Sequence, residues 1–209
     1  MRWQEFRHIV QDEPLIETAL LLTGSVTRHQ AQRQLTDWTS AGKIIQLRRG
    51  LYTLPQRNPH PFVVANRLVA GSYVSLQMAL AYHHLIPEHV AAITSVTTER
   101  PVSYQNKFGR FSYRHIQPTL FFGMEYRLLV GDEYAFVATP EKALLDLIHL
   151  RPGGDSRAYI DSLRLQNLEI LDLERLLGFA ERTGKPKLMR AADIIATLVQ
   201  QELSEYETL

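Results

Sequence analysis

Apolar residues at helical spacing open the chain. Trp3, Phe6 and Val10 recur at i, i+3 and i+7, which predicts a first helix. Pro14 suits the first turn of a second helix because proline has no N–H to leave unpaired, and Gly24 suits the end of that helix. The pattern therefore predicts two short helices near the start of the chain.

A third helix is predicted after them. Ser25 or Thr27 can cap it, since a hydroxyl oxygen accepts hydrogen bonds from the N–H groups of a first turn, and Gly42 ends it. Its apolar stripe consists of Ala31, Leu35 and Trp38. Its polar side, flanked by Arg28, consists of His29, Gln30, Gln32, Arg33, Thr36, Asp37 and Ser40. Most of these polar side chains are of the types that bind base edges and phosphates, and they cluster towards the start of the helix.

Two short β-prone runs follow and flank Arg49 and Gly50. They predict a hairpin with Arg-Gly at its tip, because glycine supplies the positive φ that such a turn requires. Arg48 and Arg49 are expected at this tip, free to reach a phosphate or a minor groove. Pro55 ends the second strand because it has no N–H for the ladder. Three helices and a basic hairpin together predict a winged helix-turn-helix domain over residues 1–57.

Charge supports a nucleic-acid contact in this region. The whole chain has a net charge of only +1, but residues 24–57 carry six Lys and Arg side chains against Asp37 alone. A local basic excess is the electrostatic footprint of a polyanionic partner. We predict contacts to double-stranded DNA from Ser25, Thr27, Arg28, His29, Gln30, Gln32, Arg33, Thr36, Arg48 and Arg49. Two alternatives stay open: a solvated basic face, and a winged helix that docks another protein.

The rest of the chain, residues 58–209, predicts an α+β domain after a proline-containing linker at residues 58–61. A small, mostly antiparallel sheet of about four or five short strands is expected, followed by a helical C-terminal region. Strands are predicted at residues 93–98, 111–116, 126–130 and 134–138. Helices are predicted at residues 62–69, 76–84 (capped by Ser75), 155–165, 172–182 and 187–203, and from Pro140 (capped by Thr139). The last helix carries a packing stripe of Leu188, Ala192, Ile195 and Val199.

Composition narrows the class of protein. The chain contains no cysteine, which excludes a disulfide framework, a thiolate nucleophile and a cysteine-ligated zinc site. It has no apolar run of about eighteen residues, so no membrane span is expected. The polar N-terminus lacks the apolar stretch of a secretory signal. A cytoplasmic protein without a membrane partner is the expectation.

Common catalytic motifs are missing. No phosphate-binding loop, dinucleotide fingerprint, H-E-x-x-H or G-x-S-x-G occurs in the chain. His83, His84, Glu88 and His89 could in principle bind a metal. His83 falls on an apolar helix side, however, and Pro87 interrupts the spacing of the set. A hydrogen-bonded core histidine is therefore favoured, with no metal and no cofactor.

One polar helix face needs a separate interpretation. After Thr139, Pro140 and Glu141, the residues Lys142, Asp146 and His149 recur at i, i+4 and i+7. An acid, a base and a cation on one face would suit catalysis or a phosphate contact. A capped helix with an i, i+4 ion pair explains the same pattern, and no nucleophile or metal set accompanies it. The capped helix is favoured, and the chain is expected not to be an enzyme.

Four segments carry a family resemblance: Arg49 to Tyr52, Ser72 to His83, Ile93 to Thr97, and Ala138 to Leu147. Together they resemble the AbiEi family of type IV antitoxins, and the resemblance covers about residues 14–200. The segment T-P-E-K-A-L-L-D-L is the most specific part. Tyr73, Thr139, Glu141, Lys142 and Asp146 are motif members without an assigned role.

The resemblance implies a bacterial transcriptional regulator with a winged-helix N-terminus. Members of the family bind inverted repeats in their own promoter, which implies two copies on DNA, and repress a bicistronic operon. The partner gene encodes a nucleotidyltransferase-like toxin linked to abortive phage infection. The antitoxin counters this toxin without forming a stable complex, a role credited to the second domain. By position, Arg28, His29, Gln32, Arg33, Arg48 and Arg49 would face DNA.

Three alternatives to this interpretation stay open. One is a solitary AbiEi-like regulator without a toxin. Another is an enzyme, either a nuclease or a toxin modifier, acting around Glu141, Lys142 and Asp146. The third is an interaction module whose second domain binds a protein partner.

Overall fold

A computed structural model describes residues 2–21, 27–88 and 90–206 of the chain. Its N-terminal unit begins with α1 (Trp3–Ile9), β1 (Ile16–Glu17) and a 3₁₀ turn (Thr18–Leu21). It continues with α2 (Arg28–Ser40), β2 (Ile45–Arg48) and β3 (Leu51–Thr53). These strands form a small sheet in the order β1-β3-β2, with antiparallel pairing throughout. The unit is therefore two helices packed with a short three-stranded sheet.

The predicted second helix is wrong. Ile16 and Glu17 pair with Tyr52 and Leu51 of β3, and a 3₁₀ turn follows in place of an α-helix. Ile16 is completely buried in this position. A β-branched residue suits a pleated, buried strand, so tertiary pairing outweighs the helical spacing of the apolar residues here. Residues 22–26, which include Gly24 and Ser25, lie outside the described residues.

The first helix, the third helix and the hairpin are confirmed. Phe6 and Val10 of the first predicted helix are buried, as is the apolar stripe of α2. The Trp38 ring lies 4.5 Å from that of Phe6 and 5.2 Å from that of Trp3. These contacts hold α1 against one side of α2 and leave the opposite side of α2 to solvent.

The second unit is an α+β arrangement, as predicted. Its elements are α3 (Pro61–Leu68), β4 (Ser72–Val74), α4 (Leu76–Tyr82), β5 (Ala92–Thr97), β6 (Val102–Asn106), β7 (Gly109–His115), β8 (Met124–Leu128), β9 (Tyr134–Ala138), α5 (Pro140–Leu150), α6 (Arg157–Ser162), α7 (Leu173–Thr183) and α8 (Pro186–Tyr206). Short 3₁₀ turns lie at Pro118–Leu120 and Leu168–Ile170. Over the described residues the sheet has six strands in the order β6-β7-β5-β4-β9-β8.

The predicted mostly antiparallel sheet is mixed, with three antiparallel and two parallel pairings among its described strands. β4 with β9 and β5 with β7 pair in parallel, and the other neighbours are antiparallel. The prediction missed β4 and β6. Ser72, Tyr73 and Val74 of β4 are all buried, so this short strand shows no alternation to detect. β6 does alternate, and Val102-Ser103-Tyr104 was a usable signal.

α5 is the central helix of the second unit. Residues 140–148 are all buried, among α4, α7 and α8 and the end of β9. The predicted packing stripe of α8, Leu188, Ala192, Ile195 and Val199, is buried as expected. The strand that precedes α5 and the three surrounding helices thus enclose every side of its first two turns.

The two units share apolar contacts. Leu15, Leu47 and Leu51 of the N-terminal unit belong to the large core of the second unit. The predicted linker at residues 58–61 is wrong at its end, because His60 caps α3 and Pro61 is its first residue. Proline suits that position, where its missing N–H costs no hydrogen bond.

Candidate functional site

The start of α2 is stabilised by a capping box. The Thr27 hydroxyl accepts a hydrogen bond from the Gln30 backbone N–H (3.3 Å), and the Gln30 side-chain oxygen accepts one from the Thr27 N–H (3.0 Å). This reciprocal pair uses two donors of the first turn. Thr27 and Gln30 therefore act first as structural residues of the helix end, although both are predicted DNA contacts.

The polar face of α2 comprises Arg28, His29, Gln32, Arg33 and Thr36. All five are exposed, whereas Ala31, Leu35 and Trp38 on the opposite side are buried. The Thr36 hydroxyl donates to the Gln32 carbonyl (3.0 Å), so the hydroxyl proton is already used in a hydrogen bond within the helix. The structure thus brings together the predicted residues of α2 on a single solvent-facing surface. Ser25 lies outside the described residues.

The β2–β3 hairpin separates its two arginines. Arg49 is exposed at the tip beside Gly50, whose φ of +84° satisfies the turn. Arg48 is not free, which corrects the prediction. Its guanidinium donates from Nε to the Leu68 carbonyl (2.8 Å), from Nη1 to the Arg49 carbonyl (2.8 Å) and from Nη2 to the Arg67 carbonyl (3.3 Å). A cation on the last carbonyls of α3 is favourable, because those carbonyls carry the negative end of the helix dipole.

Arg48 therefore joins the two units, and a second contact supports the same junction. The Arg67 guanidinium pairs with the Glu17 carboxylate at 3.2 Å, although both side chains are about half exposed. An exposed ion pair of this kind contributes little to the free energy of unfolding. The half-buried Arg48 is the stronger connection, and it positions the hairpin against α3.

A second polar set, the α5 cluster, lies inside the protein. It comprises Tyr73, Ser75, Lys142 and Asp146. The Asp146 carboxylate accepts hydrogen bonds from the Tyr73 hydroxyl (2.9 Å) and the Ser75 hydroxyl (2.8 Å), and it pairs with the Lys142 ammonium through its other oxygen. The Lys142 and Asp146 side chains are each only 3% exposed. The predicted polar face of this helix is therefore not a surface.

Burial controls the ionisation of this cluster. Burial lowers the pKa of Lys142, and the neighbouring Asp146 carboxylate opposes that shift. Burial and the same carboxylate raise the pKa of Tyr73 far above its ordinary value, so its hydroxyl remains a donor. Since Asp146 receives three donors from β4, α5 and the residue before α4, the cluster ties these elements together. Its geometry is that of a satisfied buried network.

Ser75 was predicted as the cap of α4, but its hydroxyl is directed to Asp146 instead. Thr94 of β5 takes over that function. Its hydroxyl accepts from the Met78 N–H (3.1 Å) and donates to the Ser75 carbonyl (2.7 Å). Nothing local signals this exchange, because Ser75 and Asp146 are 71 positions apart.

Glu141 connects α5 to α7. Its Oε1 accepts from the Asp172 N–H (3.0 Å) at the start of α7, and its Oε2 lies 3.8 Å from the Arg175 guanidinium. Oε2 has no hydrogen-bond partner among the described residues. Thr139 caps α5 as predicted, through the Lys142 N–H (3.3 Å). All five family-motif residues are thus buried in the junction of β4, α5 and α7.

The histidines do not form a metal site in the part of the chain that is described. No group of three His, Asp or Glu side chains is placed to hold a metal ion within it. His83 Nε2 lies 2.8 Å from the Ala138 carbonyl, and burial lowers the pKa of His83. A neutral imidazole that donates to this carbonyl fits both observations. His89 lies outside the described residues.

No family model matches the chain, and no curated protein matches it. Across residues 2–21, 27–88 and 90–206, none of the helices has the length and apolar character to cross a bilayer. The features that point to a function are the polar face of α2 and the family resemblance of the sequence.

Proposed function

We propose that this chain is a sequence-specific, DNA-binding transcriptional repressor, and an antitoxin of the AbiEi kind. The observation that carries the proposal is the polar face of α2. Its first turns expose two arginines, a histidine and a glutamine, and the buried side is anchored by Ala31, Leu35 and Trp38. A rigidly packed helix with such a face suits insertion into a major groove.

Each side chain has a distinct role in this proposal. Arg33 and Gln32 read base edges, because Arg binds guanine and Gln binds adenine through paired hydrogen bonds. Arg28 and His29 lie at the start of the helix and contact phosphates there. Arg49 adds a phosphate or minor-groove contact from the hairpin. Arg48 serves the site indirectly, by holding that hairpin against α3.

The antitoxin part of the proposal comes from the family resemblance. The second unit counters a nucleotidyltransferase-like toxin without a stable complex, and the chain acts in the cytoplasm, without a cofactor. Two copies occupy an inverted repeat in the promoter. We propose no catalytic role for Lys142 and Asp146, because their charged groups are paired with each other and enclosed. A solitary regulator would share the DNA-binding half of this function.

A gel-shift titration against the DNA upstream of the gene tests the repressor. The comparison duplex is a scrambled sequence of equal length, and both are measured at two salt concentrations. We expect tight binding to the upstream duplex alone. Equal, salt-sensitive binding to both duplexes would mean that a basic patch binds DNA without sequence specificity, which would contradict the proposed repressor. No binding at low salt would refute DNA binding.

A growth assay tests the antitoxin separately. Expression of the neighbouring nucleotidyltransferase-like gene should arrest growth, and co-expression of this chain should restore it. Arg33→Ala should weaken repression but still protect, because antitoxicity is assigned to the second unit. If Arg33→Ala fails to protect although it is present at wild-type levels, that assignment is wrong.

A further inference from the structure

The two edges of the six-stranded sheet differ in what packs against them. β6 forms one edge, and β2 of the N-terminal unit lies against it. Val102 and Tyr104 of β6 also pack on the core. β8 forms the other edge, and no described strand pairs with its outer side. Natural sheets normally protect such an edge, because its unpaired N–H and C=O groups invite another strand.

Alternate residues of β8 present those groups outwards. The Leu129 N–H donates to the Glu133 carbonyl (2.7 Å), and the Thr139 N–H donates to the Gly123 carbonyl (3.0 Å), in register with the β8–β9 ladder. Hydrogen-bonded pairs alternate along an antiparallel ladder. The odd-numbered residues of β8 therefore bond to β9. The backbone groups that face away belong to Met124, Tyr126 and Leu128.

The side chains of the same residues form an apolar surface. Tyr126 is 62% exposed and Leu128 is 55% exposed. The Tyr126 ring stacks on Tyr134 of β9 with 5.0 Å between centroids, and it lies 4.9 Å from the ring of Phe136. Tyr134 and Phe136 are themselves about half exposed. An aromatic patch that continues to an open strand edge is unusual for a surface that stays solvated.

The opposite face of β8 carries one acid and one base. Glu125 and Arg127 are paired with each other at 2.5 Å, and both are about two-fifths exposed. They lie two positions apart, on either side of Tyr126. If two copies of β8 pair antiparallel about Tyr126, Glu125 of one copy lies directly opposite Arg127 of the other, and this happens twice.

Neighbouring registers lack this complementarity. Centring the pair on Glu125 or on Arg127 places like charges opposite each other, which is destabilising. A shift by one residue would place the apolar face of one copy beside the charged face of the other. Only the register about Tyr126 matches apolar with apolar and acid with base.

We propose that β8 is the dimerisation edge of this protein and that its partner is a second copy of the same chain. The two copies of β8 pair antiparallel about a two-fold axis at Tyr126 and make one continuous sheet. Such an isologous contact buries the same patch on both subunits. The dimer itself does not rest on the proposed function. If the chain also binds DNA, the two-fold axis matches the symmetry of an inverted repeat.

Sedimentation velocity of the full chain without DNA tests this interface, with two charge reversals as probes. Glu125→Arg leaves a strand with two arginines, and Arg127→Glu leaves one with two acids. Each reversed homodimer then opposes like charges twice, and we expect dimerisation to weaken about tenfold or more. Mixing the two variants pairs arginine with acid at both positions, so the mixture should form a heterodimer.

Arg157→Glu is the matched control, because it reverses an exposed ion pair on α6. This variant should dimerise like the wild type, and the far-ultraviolet circular dichroism of all variants should be unchanged. A wild-type chain that remains monomeric up to about 100 µM overturns the proposal. So does a mixture that fails to associate, or a reversal that leaves the dimer intact. Because DNA is absent, a failed gel shift beside an intact dimer would refute only the proposed function.

Discussion

α2 and α5 are both capped by a threonine whose hydroxyl accepts a hydrogen bond from the N–H three residues later, Gln30 in α2 and Lys142 in α5. Both helices also carry charged residues at helical spacing. The polar face of α2 is open to solvent, whereas the charged residues of the first two turns of α5 are enclosed among α4, α7, α8 and the end of β9. Similar local signals therefore serve two different purposes in one chain.

The difference shows which polar residues remain available to a partner. Asp146 is engaged by Tyr73, Ser75 and Lys142, so its hydrogen-bonding capacity is used within the fold. Arg33 is exposed on a helix whose packing depends on the opposite side. We therefore expect substitutions in the α5 cluster to change stability and substitutions on the polar face of α2 to change binding.

Asp146→Asn should have the largest effect. It leaves the Lys142 ammonium buried without its counter-ion, and breaking a buried pair in this way costs about 3–5 kcal/mol of unfolding free energy. Chemical denaturation measures the loss. Asp161→Asn is the control, because its pair with Arg157 is about half exposed and should contribute at most about 1 kcal/mol. Equal losses in the two variants would show that the α5 cluster is not a special stabilising element.

Arg33→Ala should weaken binding to the upstream duplex by about 1–3 kcal/mol and relax specificity at one base pair. Its unfolding free energy should change by no more than about 0.5 kcal/mol, because the side chain is exposed. Fluorescence anisotropy with single-base variants of the duplex measures both the affinity and the specificity. Arg157→Ala removes an arginine from α6 and should leave binding unchanged. A loss of stability in Arg33→Ala would contradict the expectation that substitutions on the polar face of α2 change binding and not stability.

The two arginines of the hairpin allow a sharper test within one turn. Arg48→Ala removes the hydrogen bonds to three carbonyls and should cost about 1–3 kcal/mol of stability. Arg49→Ala should leave stability unchanged and reduce the salt slope of DNA binding by about one. Denaturation curves and gel shifts at several salt concentrations separate these outcomes. If the double alanine variant binds DNA with unchanged affinity, the hairpin is not part of the interface.

Acidification should have the smallest effect, and it concerns stability alone. Burial lowers the pKa of His60, His83 and His149 below the ordinary value of 6.5. The unfolded chain then binds protons before the folded one, so the unfolding free energy is undiminished above pH 6.5 and falls as the pH drops through the folded pKa values. Denaturation at several pH values below 7 measures this slope.

His83→Gln should flatten the slope, because an amide can still donate to the Ala138 carbonyl but does not titrate in this range. An unchanged slope in His83→Gln would contradict the assignment of a neutral, buried imidazole.

Much of the architecture was predictable from local patterns. The apolar stripe of α2, the Arg-Gly turn, the Thr139 cap and the packing stripe of α8 all follow from residues close together in the chain. The failures arise where partners are distant in sequence. Ile16 lies in a strand because it pairs with Tyr52 of β3. The pattern did not predict β4 because all three of its residues are buried. Propensity and periodicity do not contain that information.

The candidate functional residues also separate into those that local spacing predicts and those that contacts distant in sequence decide. Short-range spacing is enough to place Arg28, His29, Gln32 and Arg33 on one polar side of a helix, since the period of 3.6 residues needs no tertiary context. Whether a polar side faces water or the core depends on what packs against it. Only the fold paired Asp146 with Tyr73 and Ser75, turned Arg48 towards α3, and placed β8 at an edge of the sheet. Those outcomes depend on contacts between elements far apart in sequence, which is why local chemistry alone could not anticipate them.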